Sequence, residues 1–507
     1  MRYCSIIILF IFSFLLPVSL ISQIKEIKKA DECFYNFNYK KAIKLYKQLE
    51  EKGEAMYYVT HRIGDCYRHL GDSENSVKWY LKAKDYPDVD FSTYLILSQE
   101  LKKLQRYEEA NQFLKQYNEL EEIENSGTLL TKSKLELLKR DSSNFKIFNL
   151  PINTESSEIG PAIYDNKLVF CSNKGEITAL KRSDIRDGSS FYKLYTSKIN
   201  DHLSLTEPKP FSKQLLSKYN DGPIAFNTEN DIAFLTRNMI HKDNKSSYLN
   251  VYVAYKNKGK WQRKMMPIPL RQTNFSLMHA FLTKDETRFF FVSDMDGGYG
   301  GLDIYYSYYK NGFLSPPVNL GPNVNSSGNE MFPFVSDDNI LYYSSDKQGS
   351  LGGMDIFFAL PEGETYSSSF NMGYPINTSD DDFGLIYYEN NKLGYFVSNR
   401  DGGKGKDDIY AFEQKVNYNY THYMGKVVSS QESTIVSNAI VNIYQDSDLI
   451  ITTTTDSKGE FSFYADSKQD LLIEIKKRFF ETFNSKLENI AQSEKNGYSV
   501  QVVLKAY

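Results

Sequence analysis

The chain has 507 residues, of which 41% are hydrophobic, 24% charged and 15% aromatic. This length can hold several domains with separate cores, and the composition is that of a globular rather than a disordered protein. The net charge of −4 gives no basic excess for nucleic-acid phosphates, so we expect no nucleic-acid partner. The high aromatic share favours β-strands, where rings pack on a half-buried surface.

Residues 1–22 have the pattern of a secretory signal peptide. Arg2 precedes the apolar run Ile6–Leu16, and the small residue Ser22 stands at the expected cleavage point. The run is too short to span a bilayer, although a retained anchor is the alternative. No cysteine stands at the cleavage point after the run, so we expect no lipid anchor. The sequence therefore predicts export, with no transmembrane segment after cleavage.

Residues 23–120 repeat with a period of 34 residues. Ala30, Gly64 and Ser98 are in register, as expected where paired helices must approach closely. Ile63-Gly64 with Tyr67, followed by the turn at 70–72, resembles the tetratricopeptide repeat. The resemblance implies an α-helical solenoid whose concave face commonly binds an extended peptide or another protein. A helical spacer with an unused groove is the alternative.

Polar residues on the first helix of each repeat are the candidates for partner binding in that groove. They are Tyr35, Asn36, Arg62, Asp65, Arg68 and Lys102. Residues 121–144 are expected to form a further helix and a linker. The leucines between 126 and 140 predict that this helix covers the open end of the array.

Residues 145–415 contain three copies of one sequence motif. Its copies are Ser293–Tyr305, Ser345–Phe357 and Ser398–Tyr410, which start 52 and 53 residues apart. Repeats of about 50 residues made of strands and glycine-rich turns are typical of β-propeller blades. They resemble the WD40-like repeats of TolB-type envelope proteins. We expect an all-β propeller of five blades, with six as the alternative if strands near 145–150 and 412–420 form another.

The glycine-rich motif also has two chemical interpretations. Asp294, Asp296 and Asp303 have the short spacing of oxygen ligands for Ca²⁺. The other two copies lose this pattern, so we favour a structural role in which the aspartate before Ile-Tyr accepts backbone hydrogen bonds. The sequence contains no zinc, nucleophile-elbow or phosphate-loop signature. With 64 acidic residues, a cluster such as 380–382 is expected by chance, and we predict no catalytic residues, no cofactor and no enzyme.

Residues 420–507 change to short alternating strands. Thr452–Thr455 leads into a Thr-Asp-x-x-Gly-x-Phe turn, and Val500–Leu504 is the last strand. The segment resembles the carboxypeptidase regulatory-like domain, a small antiparallel β-sandwich. Arg478–Glu481 stands where that family often has a Gly-Tyr turn.

The order of these segments is itself similar to that of PorE-like members of the OmpA family of Bacteroidota envelope proteins. The resemblance implies a periplasmic location beside the outer membrane, in association with type IX secretion or gliding components and a PorP/SprF-like outer-membrane barrel. The chain stops after the sandwich, without the family's OmpA-like domain, so peptidoglycan binding is not expected. We therefore expect a non-enzymatic periplasmic scaffold that binds envelope proteins. The alternative is a propeller-based carbohydrate-binding protein or hydrolase.

Overall fold

The structure is a computed structural model that describes residues 24–54, 56–122, 129–175, 184, 188–201, 203–240, 247–270, 275–388, 392–416, 420–431, 433–445, 447–466, 469–494 and 497–506. The predicted signal peptide lies outside these residues. The chain divides into two compact units, Met1–Glu124 with Thr178–Phe191, and Asn125–Ile177 with Tyr192–Tyr507. No helix in the described ranges is long and apolar enough to cross a bilayer.

The first unit is an array of antiparallel helix pairs. Its helices are α1 (24–35), α2 (Tyr39–Glu51), α3 (Met56–His69), α4 (Ser73–Ala83), α5 (Ser92–Lys103) and α6 (Tyr107–Leu120). Asp72 caps α4 by accepting the N–H of Asn75 at 3.1 Å. A Cβ at Gly64 would lie 2.9 Å from the ring of Tyr80, which explains why the repeat needs a small residue there. The predicted helical array is confirmed.

The second unit begins with α7 (Lys132–Arg140) and continues as β-structure. The sequence predicts that this helix covers the open end of the array, but the helix belongs to the second unit and its described contacts are with β-structure. Ser133 Oγ of α7 donates to Asp448 in the C-terminal strands at 2.8 Å, and the Leu138 carbonyl accepts the N–H of Tyr374 at 2.8 Å. The leucines that were expected to cover the helical array therefore belong to a helix of this β-rich unit.

Five antiparallel sheets follow one another along the chain. Sheet 1 contains β2 (Glu158–Tyr164), β3 (Lys167–Ser172), β4 (Lys193–Asp201), β5 (Ser204–Leu205) and β6 (Lys209–Pro210). Sheet 2 contains β7 (Asp221–Phe226), β8 (Ile232–Ile240), β9 (Ser247–Asn257), β10 (Lys260–Trp261) and β11 (Met266–Pro267). Sheet 3 contains β12 (Leu277–Leu282), β13 (Arg288–Ser293), β14 (Asp303–Lys310), β15 (Phe313–Leu314) and β16 (Val318–Asn319). A propeller-like fold is confirmed by this arrangement.

Sheets 4 and 5 complete the series. Sheet 4 contains β17 (Glu330–Val335), β18 (Leu341–Ser345), β19 (Asp355–Ala359) and β22 (Phe370–Asn371), beside a hairpin of β20 (Pro361–Glu362) and β21 (Thr365–Tyr366). Sheet 5 contains β23 (Asp382–Tyr388), β24 (Leu393–Ser398), β25 (Asp408–Gln414) and the earliest strand, β1 (Phe145–Asn149). Because β1 pairs with β25, the strands considered for a sixth blade belong to one sheet.

The repeated motif is explained by hydrogen bonds between neighbouring segments. Asp303 accepts the N–H groups of Tyr299 at 2.7 Å and Gly300 at 3.1 Å. Its carboxylate also accepts the side-chain amide of Asn319 at 2.7 Å. Asp355 and Asp408 repeat this pattern in sheets 4 and 5. Each aspartate therefore ties the glycine-rich loop to the outer strand of its own sheet.

The C-terminal strands form two facing four-stranded sheets. Sheet 6 has the order β29 (Glu460–Asp466), β26 (Tyr420–Ser429), β33 (Gly497–Leu504) and β32 (Ala491–Glu494). Sheet 7 has the order β28 (Asp448–Thr454), β27 (Ile440–Gln445), β30 (Leu471–Lys476) and β31 (Phe483–Lys486). Their inner faces share one core that includes Val427, Val441 and Ile473. The pairing of β26 with β33 is parallel, so the sandwich is not purely antiparallel as expected.

Candidate functional site: the central pocket of the five sheets

The first strands of sheets 1 to 5 surround a cavity of about 180 Å³. Its aromatic walls come from Phe226, Phe281, Phe332, Phe334 and Tyr387, one or two from each of four sheets. All except Tyr387 are half-buried. At about 30 Å³ per water, this space corresponds to about six water molecules. It is suited to one small ring, with anything larger projecting from the mouth.

A β-bulge interrupts each of these five strands at the same place. The first residue of the bulge is Gly160, Gly222 or Gly384 in three sheets, but His279 and Phe332 in sheets 3 and 4. His279 and Phe332 have φ values of 49° and 53°, close to the 61° of Gly160 and 64° of Gly384. A side chain in this left-handed region costs about 1–3 kcal/mol. Two strained side chains therefore stand where the repeat otherwise uses glycine.

The two strained residues contact each other in the pocket. The imidazole of His279 stacks on the ring of Phe332 with centroids 3.9 Å apart and 16° between the planes. The backbone N–H of His279 donates to Thr236 Oγ1 at 3.0 Å. Its Nδ1 is buried and has no hydrogen-bond partner among the residues that the structure describes. Burial lowers the pKa of His279 to about 3, so the ring is neutral at physiological pH.

The buried carboxylates at the start of the same strands have structural roles. Glu330 accepts the Oγ of Ser326 at 2.6 Å and the Oγ of Ser345 at 2.7 Å, and Glu158 repeats these contacts with Thr154 and Ser172. Asp382 accepts Thr378 Oγ1 at 2.8 Å and Arg400 Nη2 at 2.6 Å. These acids hold the loop before each strand and are not free to attack a substrate.

Asp380 is a carboxyl group of a different kind. It is half-buried and lies two residues before β23, which lines the pocket. Burial, with repulsion from Asp382, Asp401 and Asp381, raises the pKa of Asp380 to about 6. Asp401 is exposed to solvent. A carboxyl group whose pKa is raised toward neutrality beside other carboxylates resembles the acid of a general acid catalyst, although neither Asp380 nor Asp401 belongs to the lining of the central pocket.

The predicted calcium ligands are not brought together around one point. Asp294 Oδ1 accepts the N–H of Ser276 at 2.6 Å, and Asp303 accepts the N–H of Tyr299 at 2.7 Å. Asp296 is exposed. Within the ranges that the structure describes, no group of three or more His, Cys, Asp or Glu residues could hold a metal ion. The calcium site therefore has no ligand cluster to support it among those residues.

Three of the predicted groove residues do lie together. Arg62 Nη2 donates to the Tyr35 hydroxyl at 3.0 Å, and Arg62 Nη1 donates to Asp65 at 3.1 Å. Asp65 also accepts the hydroxyl of Tyr80 at 2.6 Å. Burial opposes ionisation of Asp65, but its bonds to His61 and Tyr80 and the charge of Arg62 outweigh it and lower its pKa to about 2.

The other three groove candidates are dispersed. Asn36 is exposed and donates to the carbonyl of Glu32 at 2.6 Å. Arg68 reaches Glu100 at 3.7 Å, and Lys102 is buried. The predicted set is thus partly an internal network of the helices. Whether its exposed members bind a partner stays a prediction.

Sequence reasoning missed the pair at the centre of the pocket. The signal was present, because His279 and Phe332 align with the Gly-Pro of 160–161 and of 222–223. It also missed Asn153, Asn325 and Asn377, whose side chains bind both the N–H and the carbonyl of Ile409, Ile304 and Ile356. These asparagines recur with the motif, and their spacing could have identified them as structural residues.

Comparison of the sequence with known protein sequences gives two findings. A sequence profile of the tetratricopeptide repeat matches residues 57–87, which supports the repeat assignment of the helices. A search of curated proteins found no sequence match.

Comparison with solved structures returns glycoside hydrolases. One is the RS223 β-xylosidase, 10% identical, with 57% of this chain and 98% of that chain covered at a TM-score of 0.34. Another is the GH32 β-fructofuranosidase BmSUC1 of Bombyx mori, 8% identical, with coverage of 73% and 93% and a TM-score of 0.34. Fructan 1-exohydrolase IIa of Cichorium intybus is 10% identical, with coverage of 71% and 90% and a TM-score of 0.33.

These neighbours correct two of our predictions. The chain was expected to be a non-enzymatic scaffold, and its structural neighbours are carbohydrate-cleaving enzymes. Both the scaffold function and the absence of enzymatic activity are contradicted by this finding. At 8–10% identity and TM-scores of 0.33–0.34, these matches assign no activity or substrate to this chain.

Proposed function

We propose that this protein is a carbohydrate-binding propeller that holds one sugar ring in its central pocket. The observation that carries this proposal is the His279–Phe332 pair. Both side chains occupy strained backbone positions where glycine would be free of strain, and strain of this kind clusters at ligand sites. An apolar lining with few polar groups is the usual character of a small-molecule site, and the volume of about 180 Å³, below the usual range of about 300–1,000 Å³, restricts this pocket to a single small ring.

The chemistry of the pocket suits a sugar. The phenylalanine rings of the lining offer apolar surface to the C–H side of a pyranose, and the neutral imidazole of His279 offers a polar group beside them. Phe332 itself already packs against His279 and Phe383, so it contributes to the pocket wall together with these two rings. The buried Nδ1 of His279 lacks a partner, and an unsatisfied buried nitrogen costs about 1–3 kcal/mol. A sugar hydroxyl that reaches it would recover that cost on binding.

Replacement of Phe332 by glycine tests the proposal. Glycine accepts the φ of 53° without strain, so Phe332→Gly removes the ring and leaves the backbone in place. In calorimetric titration, we expect Phe332→Gly to bind mono- and disaccharides at least tenfold more weakly than the unchanged protein. Phe313→Gly, on the exposed edge of sheet 3, is the matched control and should bind as the unchanged protein does. Equal sugar binding by Phe332→Gly would contradict the proposal.

Hydrolysis of a glycosidic bond is a second candidate, favoured by Asp380. Glycosidases use one protonated carboxyl and one carboxylate, and Asp380, with its pKa near 6, would be the acid beside the exposed Asp401. We expect Asp380→Asn to lower release of nitrophenol from aryl glycosides at least a hundredfold while sugar binding persists. Asp337→Asn, a change at an exposed ion pair with Lys284, should leave any release unaltered. Unchanged release in Asp380→Asn would remove this candidate.

The finer assignments of fold and location also belong to this proposal. Five consecutive sheets, the last closed by β1, support a five-bladed propeller, and sheets 6 and 7 support a carboxypeptidase regulatory-like domain. The order of segments supports a PorE-like relationship, and the apolar run Ile6–Leu16 supports export to the periplasm beside the outer membrane. Envelope proteins, including an outer-membrane barrel, are the proposed partners of the helical array.

A further inference from the structure

A second and larger cavity lies in the β-rich unit, away from the central pocket. It has a volume of about 420 Å³, within the range of about 300–1,000 Å³ for small-molecule sites. Helix α7, sheet 4 and the C-terminal sheets 6 and 7 all contribute to its walls. The cavity therefore exists only where three segments of the chain meet.

Two lysines, Lys134 and Lys347, line this cavity, and the nearest acids acting on them, Asp448 and Glu330, form no close ion pair with them in the described part of the chain. Lys347 donates to the hydroxyls of Tyr343, at 2.8 Å, and Ser369, and its ammonium lies 4.1 Å from the centroid of the Phe357 ring. Lys134 donates to the carbonyl of Leu449 at 3.5 Å. In the described ranges, neither ammonium is within ion-pairing distance of a carboxylate. Burial lowers the pKa of both lysines, that of Lys347 to about 8.

The equivalent position in sheet 5 shows what is missing. Arg400 follows β24 as Lys347 follows β18, and it reaches the Asp382 carboxylate at 2.6 Å and the carbonyls of Pro375 and Ile376. Lys347 makes no such ion pair with Glu330, the acid of its own sheet. A buried charge that lacks a partner is costly, and an incoming anion would supply one.

The remaining walls include aromatic, aliphatic and amide groups, a third cation, Arg140, and two carboxylates, Asp141 and Asp466, so that cations outnumber acids in the lining by three to two. Phe370, Tyr420 and Tyr464 provide apolar faces, and Gln445 and Gln469 provide hydrogen-bonding groups. Gln469 is already oriented, since its Oε1 accepts both Gln445 Nε2 at 2.8 Å and Arg140 Nη1 at 3.0 Å. Aromatic faces beside amides and two ammonium groups match a ring that carries hydroxyls and one carboxylate.

We propose that this cavity binds a uronic acid unit of an acidic glycan, with its carboxylate between Lys134 and Lys347. The assignment of a sugar rests on the proposed function, whereas the preference for an anion rests on the two lysines. Such a site would let the protein hold an acidic chain at a position separate from the central pocket.

Titration of the full chain with glucuronic acid, glucose and inorganic phosphate tests this proposal. We expect glucuronic acid to bind at least tenfold more tightly than either of the other two at the cavity. Lys134→Met should remove most of that affinity, because the ammonium group proposed to face the carboxylate is then missing while Arg140 of the same helix stays in place. Lys139→Met, an exposed lysine on the same helix, is the matched control and should bind normally.

Several results would overturn the proposal. These are equal binding of phosphate, no preference for glucuronic acid over glucose, and binding that survives both Lys134→Met and Lys347→Met. Failure of this proposal is distinguishable from failure of the central site. Phe332→Gly should abolish binding of neutral sugar and leave binding of glucuronic acid intact, whereas Lys134→Met should abolish binding of glucuronic acid and leave binding of neutral sugar intact. A thermal melt of each variant verifies that the fold is retained.

Discussion

At the scale of single residues, His279 combines a strained backbone with a half-buried, neutral side chain whose Nδ1 is buried. Its pKa of about 3 in the folded protein lies far below the usual value near 6.5. Between these values the unfolded chain binds a proton that the folded protein does not. The contribution of His279 to stability is therefore present above about pH 6.5 and is lost as the pH falls.

Replacement of His279 by asparagine isolates this effect. Asparagine tolerates positive φ and does not titrate, so the backbone is kept while the proton site is removed. We expect the free energy of unfolding of the unchanged protein to fall between pH 6 and pH 4 by up to about 1.4 kcal/mol per pH unit more than that of His279→Asn. Denaturant unfolding at a series of pH values measures the difference. Parallel pH profiles for the two proteins would contradict a buried neutral His279.

Some of these residue roles were accessible from the sequence. The three copies of the motif showed that their aspartates should accept backbone hydrogen bonds, and Asp303, Asp355 and Asp408 do so. The conformations of His279 and Phe332 were not accessible in the same way. They depend on a bulge whose register is set by pairing across the sheet, and a residue's type alone does not reveal a positive φ.

At the scale of elements, the glycine-rich loops join each sheet to the next. In sheet 4, a Cβ on Gly352 would overlap the carbonyl oxygen of Ser379, which precedes β23 of sheet 5. Gly405 stands in the same relation to Ser156, before β2 of sheet 1. The repeated glycines are therefore required by contact between backbones of adjacent sheets.

Gly352→Ala tests this contact. Since backbone cannot move aside as a side chain can, we expect the variant to lose more than about 3 kcal/mol of stability. Gly312→Ala is the control, because its φ of 83° is strained for alanine but nothing lies within 4 Å of its Cβ. It should lose about 1 kcal/mol. Equal losses in urea-induced unfolding would show that contact between the sheets is not the reason for the glycine.

Element-level prediction from sequence succeeded where the pattern is local and failed where partners are distant. The period of 34 residues identified the helical repeats because each helix packs on its neighbours in sequence. The leucine pattern of α7 predicted the helix but not the surface on which it packs, because an apolar face does not indicate which part of the chain covers it. In the structure, that helix contacts Asp448 and Tyr374, more than 200 residues away.

At the scale of the whole molecule, the helices and the β-rich segment form two compact units with separate cores. The helical core includes the buried network of Asp65 and Tyr80, and the β core includes the rings of Phe290 and Tyr343. Because each unit has its own core among the described residues, we expect each to unfold as its own cooperative transition.

Calorimetry of the full chain should therefore show two transitions. Asp65→Asn removes a carboxylate whose pKa is lowered to about 2. We therefore expect the substitution to reduce the free energy of unfolding of the helical unit by about 2 kcal/mol at neutral pH and to lower the temperature of its transition. Gly352→Ala should lower only the transition of the β-rich unit. A single transition that both substitutions shift equally would contradict two separate units.

A crystal structure of the protein with a bound sugar tests the central claim most directly. The sugar should be chosen by titration and soaked at a saturating concentration. The proposed function requires density for one ring in the central pocket, against Phe332 and within hydrogen-bond distance of His279. Density only at other surfaces, with the central pocket empty or filled by water, would contradict the assignment of this pocket as the sugar site.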